Sequence, residues 1–307
     1  MPWRVQVADS IDQAGVDRLR QDAEVIQDGS LAHLDKMDAL IVRGATRVGQ
    51  SDIVSGRPRL AVIGRAGVGV DNIDLEAAAE HDLIVVNAPL AATNAVAEHA
   101  LGLMFALARH TPRADAAMKQ GEWPKKALKG SELSEGTLGI IGMGRIGSQL
   151  AAKASALGMD VLGCDPPLSD EEIAGRGANP ATLAELLATA DYISVHVPFM
   201  EATRGLIGPE ELAKIKPGAR LICAARGGVA DEEAVYAALE SGRLAGAALD
   251  VFEHEPPGAT PLVRHPRVIA TPHLGAQTAE AQVRASVDIA DEVLAALAGR
   301  QLRWQVV

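Results

Sequence analysis

Cysteine is nearly missing from this chain of 307 residues: Cys164 and Cys223 are the two present, each at the end of an apolar strand pattern. A small buried thiol is the favoured reading there over a disulfide or a metal ligand, so no metal site is expected and a reducing cytosol is implied. An excess of positive charge is also lacking. Lys and Arg number 29 against 40 Asp and Glu, a net charge of −11. Long-range attraction to nucleic-acid phosphate is therefore absent, which disfavours a nucleic-acid scaffold while leaving room for a local basic pocket. No apolar run is long enough to cross a bilayer, and the longest, near residues 100–108, reads as a buried helix. The opening Met-Pro-Trp-Arg-Val-Gln-Val alternates like a strand and has no signal-peptide core, so export is not implied and a cytoplasmic protein is expected. Low-complexity linkers and short-period repeats are missing as well.

What is present is apolar residue, 48% of the chain, enough to fill the cores of two ordinary domains. Short apolar runs at Val5–Val7, Ala39–Val42, Leu60–Ile63 and Leu83–Val86 alternate with helical or turn segments. Continuous Val/Ile/Leu runs of this kind suit strands covered on both faces of a parallel sheet. A long helical pattern from about Asn94 to Met118 is expected to bridge to a second α/β series of six strands. Those strands fall at about 137–141, 159–164, 192–195, 220–223, 245–249 and 268–270. A last helix, about Thr278 to Ala298, should return to the first lobe. The expected architecture is α/β, with two doubly wound Rossmann-like domains. A cofactor domain (93–278) is inserted into a substrate domain (1–92 and 279–307), with substrate in the cleft between them.

The segment Thr137-Leu-Gly-Ile-Ile-Gly-Met-Gly-Arg-Ile-Gly147 opens the second series. Gly142 permits a tight turn, Gly144 lets backbone approach a pyrophosphate, and Gly147 lets the following helix pack closely on the strand. A lone glycine fingerprint is weak evidence when 30 residues are glycine, but here it lies between a buried strand pattern and an amphipathic helix. The next strand ends at Asp165, whose carboxylate can accept hydrogen bonds from both ribose hydroxyls and would repel a 2′-phosphate. Pro166 and Pro167 follow, with no arginine in reach, so NAD rather than NADP is expected.

Three polar residues follow later strands: Arg226, Glu255 and His273. Hydride transfer from a carbinol carbon needs a group that takes the hydroxyl proton, and the imidazole of His273 suits it. Glu255 beside it would favour the imidazolium, and Arg226 can bind a carboxylate through two parallel N–H bonds. Each has a bland alternative, as a solvated arginine, a loop charge and a structural histidine.

The segments Ala225-Arg-Gly-Gly228, Ala247-Ala-Leu-Asp-Val-Phe252 with Glu255-Pro-Pro257, and Pro272-His-Leu-Gly275 resemble the signature blocks of the NAD-dependent D-2-hydroxyacid dehydrogenases. Upstream, Val42-Arg-Gly-Ala-Thr46 and Gly64-Arg-Ala-Gly-Val-Gly-Val-Asp-Asn-Ile-Asp74 resemble the substrate loops of those members that oxidise 3-phospho-D-glycerate to 3-phosphohydroxypyruvate with NAD, in serine biosynthesis. The resemblance spans nearly the whole chain. It implies Arg226 as carboxylate anchor and Glu255 with His273 as the acid–base pair. It implies cofactor contacts at Arg145, Ile146, His196, Val197, Pro198, Thr203, Ala225, Asp250 and Gly275, and substrate contacts at Gly67, Val68 and Gly69. Arg43 and Arg65 become candidates for phosphate or carboxylate, and a homodimer is implied. Other readings are a glyoxylate or hydroxypyruvate reductase, a D-lactate dehydrogenase, or a non-catalytic NAD-sensing protein like the corepressors of this fold. Leu90-Ala-Ala-Thr-Asn-Ala95 departs from the family's Gly-x-Asn pattern, and Ala230-Asp-Glu232 from its Val-Asp-Glu. Longer members continue into regulatory domains past the point matching Val307, so feedback control through such a domain is not expected.

Overall fold

A computed structural model describes residues 2–307, which divide into two compact units. One comprises the residues up to Thr93 with Ala276–Val307, and the other is Asn94–Gly275.

In the first unit the strands are β1 (Trp3–Val7), β2 (Ala23–Gln27), β3 (Ala39–Val42), β4 (Val62–Arg65) and β5 (Ile84–Asn87). They form a parallel sheet in the order β2-β1-β3-β4-β5. All four residues of β3 are buried, as a central strand covered on both faces requires. Each fully buried Val, Leu or Ile contributes roughly 1.5–3 kcal/mol relative to exposure. The helix Ala279–Leu297 packs across β4 and β5 and against the helix Gln13–Arg20, so the end of the chain completes this unit's core. Thr278 caps it, accepting from the Ala281 N–H.

Two sequence expectations change here. β2 was not anticipated: Ala-Glu-Val-Ile-Gln is an edge strand with only Ala23 buried, so its pattern is too polar to stand out. β4 runs two residues further than the apolar run, because Arg65 pairs with both Val42 and Asn87 in the ladder.

The second unit holds β6 (Thr137–Ile141), β7 (Asp160–Cys164), β8 (Asn179–Pro180), β9 (Tyr192–Val195), β10 (Ala219–Cys223), β11 (Leu244–Leu249) and β12 (Val268–Ala270). The order is β12-β11-β10-β9-β6-β7-β8, all parallel. Seven strands replace the expected six; the extra one, β8, is a two-residue edge containing a proline, which periodicity cannot register. Strand order reverses between β6 and β9, where a doubly wound sheet binds ligands. Among the described residues no helix is long and apolar enough to cross a membrane.

The expected helix from Asn94 to Met118 is two helices, Thr93–Arg109 and Thr111–Lys119. His110 breaks it in a left-handed conformation, φ 54°. A proline at position 112 cannot continue a helix, since its ring would meet the Ala108 carbonyl; that oxygen instead accepts from the Ser131 N–H at 3.1 Å.

Candidate active site

The glycine turn follows β6 and leads into the helix Arg145–Ala156. Gly142 has φ +94°, and a Cβ there would stand 2.7 Å from the His196 carbonyl oxygen. At Gly147 a Cβ would collide with the Gly142 oxygen, so helix and turn meet only without side chains. At Gly144 a Cβ would meet nothing within 4 Å. The turn is therefore closed on its protein side and open at the helix N-terminus, the shape a dinucleotide phosphate fills. Arg145 is exposed at the helix start, while Ile146 packs partly into the core.

Met143, the middle residue of the turn, is held from two sides. Its N–H donates to Asp165 Oδ2 at 2.9 Å, and its carbonyl accepts from Arg176 Nη1 at 2.7 Å. Arg176 lies 11 positions beyond Asp165 in sequence, and the chain folds it back onto the turn.

Across the switch point, His196 follows β9 and its N–H donates to the Ile141 oxygen at 2.7 Å. Its Nε2 lies 2.8 Å from Ser194 Oγ, and its Nδ1 is buried without a hydrogen-bond partner. Burial lowers its pKa to about 4, so the ring is neutral at pH 7. A buried, unpartnered ring nitrogen beside the glycine turn fits a site completed by a polar ligand. Val197 would crowd any side chain at Gly142, and the Thr203 hydroxyl folds the loop back by donating to the Pro198 oxygen at 2.6 Å.

Arg226, Glu255 and His273 lie beyond the carboxyl ends of the neighbouring strands β10, β11 and β12. Their loops interlock. A Cβ at Gly227 would overlap the Phe252 oxygen, so the Arg226 loop is pressed on the β11 loop. The Phe252 N–H donates to Glu255 Oε1 at 3.1 Å, and Glu255 Oε2 lies 2.8 Å from His273 Nδ1. Because a carboxylate only accepts, Nδ1 carries the proton and Nε2 is left for another partner. The pair is open to solvent, with side-chain exposures of 49% for His273 and 39% for Glu255.

His273 has φ 52°, a left-handed backbone that a histidine adopts at a cost of order 1–3 kcal/mol. Asp250, 1% exposed, supplies the restraint. Its Oδ1 accepts from Thr271 Oγ1 (2.6 Å) and the Leu274 N–H (2.7 Å), and its Oδ2 from the Gly275 N–H (2.8 Å). The His273 N–H donates to the Asp250 carbonyl at 2.9 Å. His99 Nε2 approaches Oδ1 at 3.2 Å. Burial alone would push the Asp250 carboxyl up, but hydrogen bonds from His99, Thr271, Leu274 and Gly275 outweigh it and hold the pKa below its ordinary 3.8. Asp250 and Gly275, expected near a cofactor, thus spend their hydrogen bonds on each other and on the histidine loop. Ala225 offers its carbonyl to Arg226 Nη1 at 2.7 Å. Cys223, behind Arg226, is pushed up to about 11 by burial, so its thiol stays protonated.

In the first unit, Arg43 follows β3 and Arg65 ends β4. The Arg65 guanidinium lies over the next loop, where a Cβ on Gly67 (φ +152°) would clash with it. Asp9 accepts from the Arg43 N–H (2.6 Å), the Thr46 N–H (3.1 Å) and the Thr46 hydroxyl (2.6 Å). Burial works against ionisation of Asp9, yet these bonds and the Arg43 charge lower its pKa. Asn72 Nδ2 donates to the oxygens of Arg43 (2.9 Å) and Thr46 (2.6 Å), and Asn87 Nδ2 to that of Val68 (2.6 Å). The Gly67 oxygen accepts from the Ala88 N–H at 2.9 Å, and Gly69 lies in the same loop.

Sequence reasoning passed over Asp9, Asn72, Asn87, His99 and Arg176. The Asp-Asn pair at 71–72 and the Asn-Ala-Pro after β5 were visible, but nothing in their spacing says which carbonyl an amide will reach.

Residues 101–275 match the family described as D-isomer specific 2-hydroxyacid dehydrogenase, NAD binding domain. The chain is 47% identical over 297 residues to D-3-phosphoglycerate dehydrogenase of Bacillus subtilis (strain 168), covering 95% of this chain and 56% of that protein. It is 41% identical over 306 residues to D-3-phosphoglycerate dehydrogenase of Rattus norvegicus, covering 97% and 57%. The chain thus spans about half the length of the curated relatives it matches. Among solved structures, a glyoxylate reductase from Paecilomyes thermophila superimposes with TM-score 0.90 at 30% identity, over 99% of this chain and 98% of that one. A second solved structure, of a protein from Thermus thermophilus, gives 0.86 at 34%, over 99% and 100%. Glycine turn, switch point and family match agree, and the chain belongs to the D-isomer specific 2-hydroxyacid dehydrogenases, with 101–275 as its NAD-binding domain.

Proposed function

We propose that this chain oxidises 3-phospho-D-glycerate to 3-phosphohydroxypyruvate. The observation that carries the reading is the Glu255–His273 pair at 2.8 Å, on a histidine whose left-handed backbone is braced by a buried aspartate. Arg226 binds the substrate carboxylate through two parallel N–H bonds and orients the carbinol carbon. His273 Nε2 takes the hydroxyl proton as the C–H electron pair leaves as hydride, and Glu255 stabilises the imidazolium through Nδ1. NAD, when bound, supplies the hydride acceptor. In the opposite direction the imidazolium returns the proton to the ketone oxygen. Asp165 accepts from the ribose hydroxyls; Gly142, Gly144, Arg145, Ile146 and Gly147 face the pyrophosphate; His196, Val197, Pro198 and Thr203 line the cofactor. Arg43 and Arg65 receive the phosphate of the substrate, and the backbone of Gly67, Val68 and Gly69 offers it further donors.

Support for the phosphorylated substrate comes from the two arginines and from relatives named D-3-phosphoglycerate dehydrogenase. NADH formation with 3-phospho-D-glycerate, D-glycerate, D-lactate and glycolate tests it. We expect kcat/KM for the phosphorylated acid to exceed the others at least tenfold. Equal turnover of D-glycerate, or turnover of none, overturns the assignment. A homodimer is proposed through the segment after Arg109. The helix Thr111–Lys119 buries none of its residues, and Phe105, Met118 and Trp123 are exposed large apolar side chains around it.

A further inference from the structure

Residues 304–307 close one edge of the first unit's sheet, running antiparallel to β5. The Asn87 N–H donates to the Trp304 oxygen (3.3 Å), the Val306 N–H to the Val85 oxygen (2.7 Å) and the Val85 N–H to the Val307 oxygen (3.2 Å). This strap is fastened by Glu292, a carboxylate 1% exposed on the helix Ala279–Leu297. Its Oε2 accepts from the Arg303 N–H (2.9 Å) and the Trp304 N–H (3.1 Å), and its Oε1 from Arg303 Nε (2.6 Å). A buried charge is tolerated only with such partners, and the strap supplies three.

At its carboxyl end β5 holds the loop Gly67–Gly69 by two bonds. The Ala88 N–H donates to the Gly67 oxygen at 2.9 Å, and Asn87 Nδ2 to the Val68 oxygen at 2.6 Å. Asn87 thus joins the strap through its backbone and the loop through its side chain. In a trans peptide the N–H points opposite to the carbonyl, so fixing these two oxygens turns the Val68 and Gly69 N–H groups away from β5. Among the described residues neither N–H has a hydrogen-bond partner. Successive backbone N–H groups left without an acceptor suit an anion. We propose that Asn87 is a positioning residue for substrate binding: it sets the direction of the Val68 and Gly69 N–H groups, and Glu292 acts through the strap to hold Asn87 in place. The proposal rests on the substrate role read above for this loop and deepens it.

The test measures KM and kcat for 3-phospho-D-glycerate, and its calorimetric Kd with NADH present, in wild type, N87D, E292Q and the double variant. N87D keeps the size of the side chain and sets an acceptor against the Val68 oxygen. KM and Kd should rise at least about tenfold while kcat changes less than about threefold, the pattern of an interaction made equally in ground and transition states. N87Q, which keeps the amide, should recover part of the loss. E292Q should raise KM about threefold alone and hardly at all in N87D, because both changes act on the same bond. The Kd of NADH without substrate should stay within about twofold throughout. An unchanged KM in N87D overturns the proposal, as do effects of N87D and E292Q that multiply in the double variant. A lower urea midpoint with unchanged KM in E292Q makes Glu292 a brace of the core only, and overturns it too. Should N87D not fold, N87S, whose side chain is one bond shorter, and E292Q decide in its place. Should wild type oxidise a different 2-hydroxy acid, the substrate assignment falls and the same variants decide with that acid; turnover of none overturns both.

Discussion

The loops beyond β10–β12 and those beyond β3–β5 occupy equivalent places on two parallel sheets, yet they are built differently. In the NAD-binding unit a fully buried carboxylate, Asp250, ties down a strained histidine, and the Glu255–His273 pair stands in solvent above it. In the other unit Asp9 and Asn72 grip backbone groups of the loop that carries Arg43. A proton-transfer group must be held to within a fraction of an ångström, whereas guanidinium groups that receive a charged ligand need only a stable platform.

The contrast can be broken most sharply at His273. His273→Gln removes the proton acceptor while keeping a polar side chain, and kcat should fall by about 10²–10⁴-fold with the fold intact, as read by steady-state NADH formation and circular dichroism. An effect below tenfold would show that another group moves the proton. Arg226→Lys keeps the charge but loses the fork; kcat/KM for every 2-hydroxy acid should drop by roughly 10–100-fold, phosphorylated or not. Asp250→Asn places an amide N–H₂ against backbone donors. It should cost about 1–3 kcal/mol in urea unfolding and lower kcat as the histidine loop relaxes. Unchanged stability would remove Asp250 from its bracing role.

On the platform side the effects should be smaller and selective. Arg43→Gln and Arg65→Gln should each raise KM for 3-phospho-D-glycerate about tenfold and change D-glycerate less than about twofold. Equal changes would mean that these residues do not read the phosphate. A further effect, on stability alone, concerns His196, whose folded pKa of about 4 lies below its ordinary 6.5. The unfolded chain binds the proton first, so stability is fully present above about pH 6.5 and declines as pH falls toward 4, by at most about 3 kcal/mol. His196→Asn should flatten that decline relative to wild type in urea midpoints measured between pH 7 and 4.5.

Much of this molecule could be read along the chain. Buried strands such as Ala39–Val42 and Tyr192–Val195 are continuous apolar runs, and Gly142 and Gly147 declare a turn that no side chain could join. The misses have specific causes. β2 and β8 are edges, half wetted, with too few apolar residues to form a pattern. The helix break at His110 depended on a proline that the apolar pattern ran straight past. The histidine, glutamate and arginine were singled out because they follow strand patterns, but their interlocking through Phe252 and Asp250 was not legible.

Periodicity and backbone chemistry act over a few residues, and so the chain itself determined two parallel sheets, the glycine turn and the types of side chain at the strand ends. Partnerships between groups far apart in sequence were settled only by tertiary structure. Asp250 with His99, Asp9 with Thr46 and Arg176 with Met143 are pairs separated by 151, 37 and 33 positions. A hydrogen bond depends on distance and direction in space, and neither is encoded in spacing along the chain once a sheet has folded between the partners.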